Sequence, residues 1–202
     1  MIRVIAKALS YLLHPILMPS YAVLLIFRLS SYYSTIVSAD IRQRIFIIVA
    51  INTFAIPVAI VYFMYLRGTV KSFDMNDRAE RIAPFMVTSL FYFCAYFLLR
   101  LLPLPKVFNL LLLGATTAIV VATFITIKWK ISIHMIGIGG MVGGLLSISQ
   151  YLSVDFTYAI LAVMIAAGAL STVRLLLNTH TPIQIYSGFL LGFICEYLIL
   201  WI

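Results

Sequence analysis

An all-α bundle of six or seven transmembrane helices is what this sequence predicts, and three observations carry the prediction. The 202 residues are 64% hydrophobic and only 10% charged, far from the balance of a soluble globular chain. Apolar runs of roughly the 20 residues that a bilayer crossing requires recur along the whole length. Short connections between them collect most of the charge. No linker, internal repeat or low-complexity tract divides the chain, so residues 1–202 read as a single integral-membrane domain.

The first run, 8–27, follows a basic stretch with Arg3 and Lys7. His14-Pro15 and Pro19 interrupt it and predict a kinked helix. A signal peptide starts in the same way, but the prolines and the missing small-residue cleavage site favour a retained span. The second run, 45–66, is uncharged throughout and is the cleanest crossing. Runs 82–99 and 107–127 follow, joined by a Leu-Pro-Leu-Pro-Lys turn of the kind prolines favour. Runs 131–152, 156–173 and 181–202 complete the set. The first run decides between six spans and seven.

Counting crossings alternately places the connections after the second, fourth and sixth runs on one face. They carry Lys71, Arg78 and Arg81, then Lys128, Lys130 and His134, then Arg174 and His180. The other face holds Arg42, Arg44, Arg100, Lys106 and Asp155. The positive-inside rule puts the richer face in the cytoplasm, but basic residues kept for chemistry bias that count, so orientation stays open. The net charge of +8 is scattered between apolar runs rather than gathered in a stripe or tail. Anionic lipids and headgroups are therefore the expected partners, and nucleic acid is not. Cys94 and Cys195 lie inside apolar runs and read as core residues rather than a disulfide or metal pair.

Arg174 and His180 stand at the edges of apolar runs, where they are costly unless they pair, reach water or work. Each has a plain structural reading: a headgroup anchor for Arg174, and a turn before a helix with Pro182 in its first position for His180. His134 alone could bond a neighbouring span, and His14 reads as structural or interfacial. Together on one face, however, these groups suit a phosphate. Arginine offers a planar fork, lysine a mobile point charge, and the start of the fifth helix adds backbone donors.

Lys71-x6-Arg78, Ser132-x-His134 and Arg174-x5-His180-x3-Gln184 resemble, in that order, the three motifs of the type 2 phosphatidic acid phosphatase superfamily. Those motifs are K-x6-R-P, P-S-G-H and S-R-x5-H-x3-D, and the resemblance covers about the last two-thirds of the chain. Ala79 replaces the proline of the first, and Arg81 with Pro84 offers an alternative alignment of it. The resemblance implies that His180 attacks phosphorus to give a phosphohistidine and that His134 protonates the leaving alkoxide. It implies that Lys71, Arg78, Ser132 and Arg174 hold the phosphate, with no metal and no cofactor. The substrate would be a phosphorylated or pyrophosphorylated lipid, met in a bacterial cytoplasmic membrane. Which lipid, and which oligomeric state, the sequence leaves open.

Gln184 is the main departure, because it stands where the family has an aspartate behind the nucleophilic imidazole. It accepts the same hydrogen bond but brings no charge, and an Asp→Asn change behind a catalytic serine-protease histidine costs about 10⁴ in turnover. Asp74, Asp77 and Glu80 lie on the correct face as candidate substitutes. The alternative function is a degenerate relative that binds phospholipid headgroups without turnover. Prenyl transfer through magnesium at Asp74 and Asp77 needs a second aspartate-rich loop, and the chain has none. A transporter ranks lower still, since only Glu196 falls well inside a run; parity pairs it with Arg100. Gly139-x3-Gly143 and Gly140-x3-Gly144 predict close helix packing behind His134.

Overall fold

A computed structural model describes every residue except Met1, Asp74 and Asn76. Among the described residues the fold is all-α, with seven segments long and apolar enough to cross a membrane: Arg3–Leu29, Ala39–Leu66, Ala79–Arg100, Lys106–Lys128, Ile133–Leu152, Thr157–Leu176 and Pro182–Ile199. The chain is thus an integral membrane protein with a polytopic helical bundle. Large apolar side chains such as Phe97, Phe124, Ile165 and Leu190 point outward, as lipid requires. Trp129 lies at one end of the bundle, and Tyr151 and Trp201 lie at the other, the positions of interfacial aromatics.

The first segment is broken where the prolines predict. Helix α1 (Ile2–Leu12) ends before His14, a 3₁₀ turn spans Pro15–Leu17, and α2 (Met18–Leu29) continues. His14 Nδ1 accepts the Ile16 N–H at 3.4 Å and so caps that turn. A short α3 (Ser31–Ile36), capped by Ser30 on the Tyr33 N–H at 3.3 Å, leads to α4 (Ala39–Ala50). A π-helical turn, Ile51–Ala55, joins α4 to α5 (Ile56–Leu66). Pro57 explains that turn, since it has no N–H to return to the preceding one. Helices α6 (Ala79–Arg100, with Pro84 inside it), α7 (Lys106–Lys128), α8 (Ile133–Leu152), α9 (Thr157–Leu176) and α10 (Pro182–Ile199) each run as one α-helix.

The tightest contact in the bundle is between α8 and α10, and glycines on both helices make it. A β-carbon on Gly139 or Gly143 would collide with the carbonyls of Phe189 and Phe193, and one on Gly192 with the carbonyl of Ile136. The two backbones therefore touch directly, as small residues allow between membrane helices.

Two expectations are corrected here. Arg174 is not in a connection but in the last turn of α9, buried in the bundle, because the helix continues to Leu176. Glu196 does not pair with Arg100. That guanidinium lies over Tyr96 and donates to its hydroxyl at 3.2 Å, exposed at the end of α6.

Candidate functional site

The turn between α9 and α10 is built by local chemistry. Asn178 takes the left-handed conformation (φ 53°) that terminates a helix, and the Thr179 N–H and hydroxyl both close onto the Arg174 carbonyl, at 3.2 and 3.0 Å. Thr181 then caps α10, with Pro182 in its first turn. The Thr181 N–H donates to Gln184 Oε1 at 3.2 Å, the returning half of a capping box. Between these two devices His180 is turned into the protein, only 7% exposed.

Gln184 Oε1 also lies 3.0 Å from His180 Nδ1. Because a backbone N–H can only donate, the atom facing Thr181 is the amide oxygen, so His180 must donate from Nδ1. Its Nε2 is then the bare lone pair, and it has no hydrogen-bond partner among the described residues. Burial first, and then the Arg81 charge, push the His180 imidazole from its ordinary 6.5 down to about 3. The Gln184 bond opposes that shift, and Arg174 and Lys130 add to it.

His134 sits in the first turn of α8 beside this group. Its Nε2 lies 3.2 Å from Ser10 Oγ, and the same hydroxyl accepts from Arg174 Nη1 at 3.0 Å. Ser10 can therefore offer its own hydrogen to Nε2, which leaves the imidazole proton on Nδ1. His14 packs edge-on against the His134 ring, with centroids 5.1 Å apart.

His14, Arg81, His134, Arg174 and His180 all line one cavity of about 500 Å³, whose remaining wall is mostly apolar side chains of α2, α5, α6, α7 and α8, with Thr88, Tyr92 and Glu196 among the polar exceptions. That volume lies within the usual range for small-molecule sites. Arg81 is 4% exposed and is held by the Met75 carbonyl at 2.8 Å and the Ile131 carbonyl at 3.4 Å. The Lys130 ammonium is also destabilised, by burial and then by Arg81 and Arg174, while Asp77 opposes. Arg81, Arg174 and Lys130 thus bring positive charge close to the two buried histidines.

The expected residues therefore divide. His134, Arg174, His180 and Gln184 are brought together. Lys71 and Arg78 are exposed and do not line the cavity, and Arg78 instead bonds the Lys128 carbonyl. Arg81, one helical turn beyond Arg78, occupies the buried position, where its guanidinium meets the Ile131 carbonyl of the α7–α8 connection. Ser132 is fully buried, its hydroxyl has no partner among the described residues, and it does not line the cavity; its N–H donates to the Gln184 carbonyl at 3.3 Å. Among the described residues no carboxylate takes the place behind His180, where Gln184 occupies Nδ1. Asp77 instead accepts the Ala79 N–H at 3.1 Å, and Asp74 lies outside the described residues.

Ser10 and His14 carried no motif signal. The only cue was a histidine and two prolines breaking an apolar run. Among the described residues, no group of three or more His, Cys, Asp or Glu side chains is placed to hold a metal ion. No protein-family model, curated protein or solved structure matches the chain.

Proposed function

We propose that this protein is a lipid phosphatase of a bacterial cytoplasmic membrane, working through a phosphohistidine at His180 and related to the type 2 phosphatidic acid phosphatases. One observation carries the reading. A buried imidazole, its Nδ1 proton fixed by Gln184, presents a bare Nε2 in the same cavity as two arginines and a second histidine. Arg174 and Arg81 hold the phosphate oxygens, with Lys130 nearby as a further positive charge. His134 takes a proton from the incoming phosphate monoanion; His180 Nε2 then attacks phosphorus, the bond from phosphorus to the lipid oxygen breaks, and the His134 imidazolium gives that oxygen the proton, releasing a lipid alcohol. Water then attacks the phosphoimidazole as His134 takes its proton back. Inorganic phosphate leaves and both histidines are restored. His180 is neutral at working pH and so is a nucleophile without prior deprotonation.

The test is phosphate release from a panel of lipid mono- and diphosphates in detergent with EDTA. Wild type should release phosphate and His180→Ala should not. Release that persists in His180→Ala removes the mechanism. A second reading, headgroup binding without turnover, rests on the neutral oxygen of Gln184, which stabilises a phosphoimidazolium less than a carboxylate does. No release from any member of the panel, with retained lipid phosphate binding, would select it.

A further inference from the structure

The cavity does not stop at the cationic cluster but continues inward to Glu196. Twelve residues of α10 separate Gln184 from Glu196, about 18 Å along the helix axis. The Glu196 side chain is 7% exposed, and its Oε2 has no hydrogen-bond partner among the described residues. No cation answers it, since the ion pair found among the described residues joins Arg44 and Asp40. Glycines of the facing helices make its space. A β-carbon on Gly114 would stand 2.5 Å from Oε2, and one on Gly140 would stand 3.1 Å from Cγ. Around it the cavity wall is hydrocarbon, including Leu111, Leu112, Met141 and Leu145, apart from the buried Tyr92 phenol, which feels the Glu196 charge but makes no hydrogen bond to Oε2. A carboxyl left without a partner in such surroundings is costly, and inside a membrane it marks a site.

We propose that Glu196 is a second recognition point for the ligand. It accepts a hydrogen bond from a hydroxyl deep in the chain of an amphipathic lipid phosphate whose headgroup occupies the cationic cluster. This inference rests on the phosphate-binding reading of that cluster. A carboxyl oxygen accepts in either protonation state, so the complementary group is a donor. A neutral hydroxyl is that donor, because an ammonium would carry a charge into hydrocarbon. Ester carbonyls near a phosphate are acceptors only, and they lie too close to the headgroup to span about 18 Å. A plain saturated chain would fill the cavity but leave the carboxyl unmatched.

The experiment uses full-length protein in detergent and two non-hydrolysable probes. One is a saturated long-chain alkylphosphonate, and the other is the same molecule with one hydroxyl about 18 Å from phosphorus. Wild type should bind the hydroxylated probe about tenfold more tightly. Glu196→Leu should equalise the two by weakening the hydroxylated probe alone, whereas Glu196→Gln, which keeps an acceptor oxygen, should retain most of the preference. Equal binding of the two probes to wild type overturns the proposal even if Glu196→Leu fails to fold. A preference that survives Glu196→Leu overturns it as well. Arg174→Ala separates this failure from that of the headgroup reading. If it weakens both probes while wild type binds them equally, only the Glu196 inference falls. If it weakens neither, or if neither probe binds wild type, both fall.

Discussion

The α9–α10 turn and the α5–α6 connection both carry residues spaced as the phosphatase motifs require, yet only one delivers them. In the first, a left-handed asparagine, a threonine closing onto the helix end and a glutamine reaching back fix every residue from Arg174 to Gln184. In the second, Lys71 and Arg78 are exposed, and the residue that reaches the cavity is Arg81, already inside α6. Spacing in sequence places a side chain only where hydrogen bonds convert it into geometry. In the α5–α6 connection the bonds hold Arg78 on the Lys128 carbonyl and Arg81 on the Met75 carbonyl, so the arginine in the next helical turn is the one that lines the cavity.

The sharpest way to break this contrast is to exchange the arginines. Arg81→Ala should lower phosphate release about a hundredfold, the scale of removing one buried charge-assisted contact to a developing oxyanion. Arg78→Ala should stay within about threefold, as an exposed side chain outside the cavity would. Equal losses would mean that the loop closes over the substrate and that the difference in burial is irrelevant. Gln184→Leu comes next. It frees the His180 tautomer and removes the Thr181 tie, so kcat should fall about tenfold or more, whereas Gln184→Glu should keep the geometry.

Acid sharpens the contrast further. The His180 imidazole is held at about 3 in the folded protein against an ordinary 6.5, so the unfolded chain binds more protons between those values. Stability from this group is complete above 6.5 and is lost as pH falls toward 3. Melting temperature in detergent should decline across that window, and His180→Ala should flatten the decline. Gln184→Glu places a carboxylate beside the ring, raises the imidazole value and narrows the window from below. An unchanged slope in both variants would show that His180 is not the titrating group.

The smallest effects test the turn itself. Asn178→Ala should cost about 1 kcal/mol through its left-handed backbone, and Asn178→Gly should cost little. Denaturant midpoints of the two variants make the comparison. Lys71→Ala, at an exposed loop position, should change neither stability nor phosphate release measurably.

Much of this was legible beforehand for physical reasons. Crossings announce themselves because hydrocarbon tolerates few charges, and the seven segments fall within a few residues of their expected limits, except where the second run extends back to Ala39. His134, Arg174, His180 and Gln184 were visible because capping and turn residues surround them or because the motif spacing is tight. Ser10 and His14 were not, since they reach His134 through a broken helix whose folding back onto α8 is a tertiary fact. Arg81 was a candidate only as an alternative alignment, because sequence does not say which turn of α6 faces Ile131. Glu196, well inside the last run, was paired with Arg100 through parity alone. The actual reason for its place, glycines on two other helices, is spread across residues 114 to 144 and has no local signature.

The glycine seam between α8 and α10 has a mechanical consequence. Carbonyls seated against bare α-carbons permit neither sliding nor rolling, so these two helices act as one fixed jaw that carries His134 on one side and His180 with Gln184 on the other. The separation of the backbone positions that carry the two histidines is then set by this seam. Ligands of different girth must be accommodated by the opposite jaw, the interrupted first segment and the π-turned second one. In both, proline has already removed the hydrogen bonds that would resist bending.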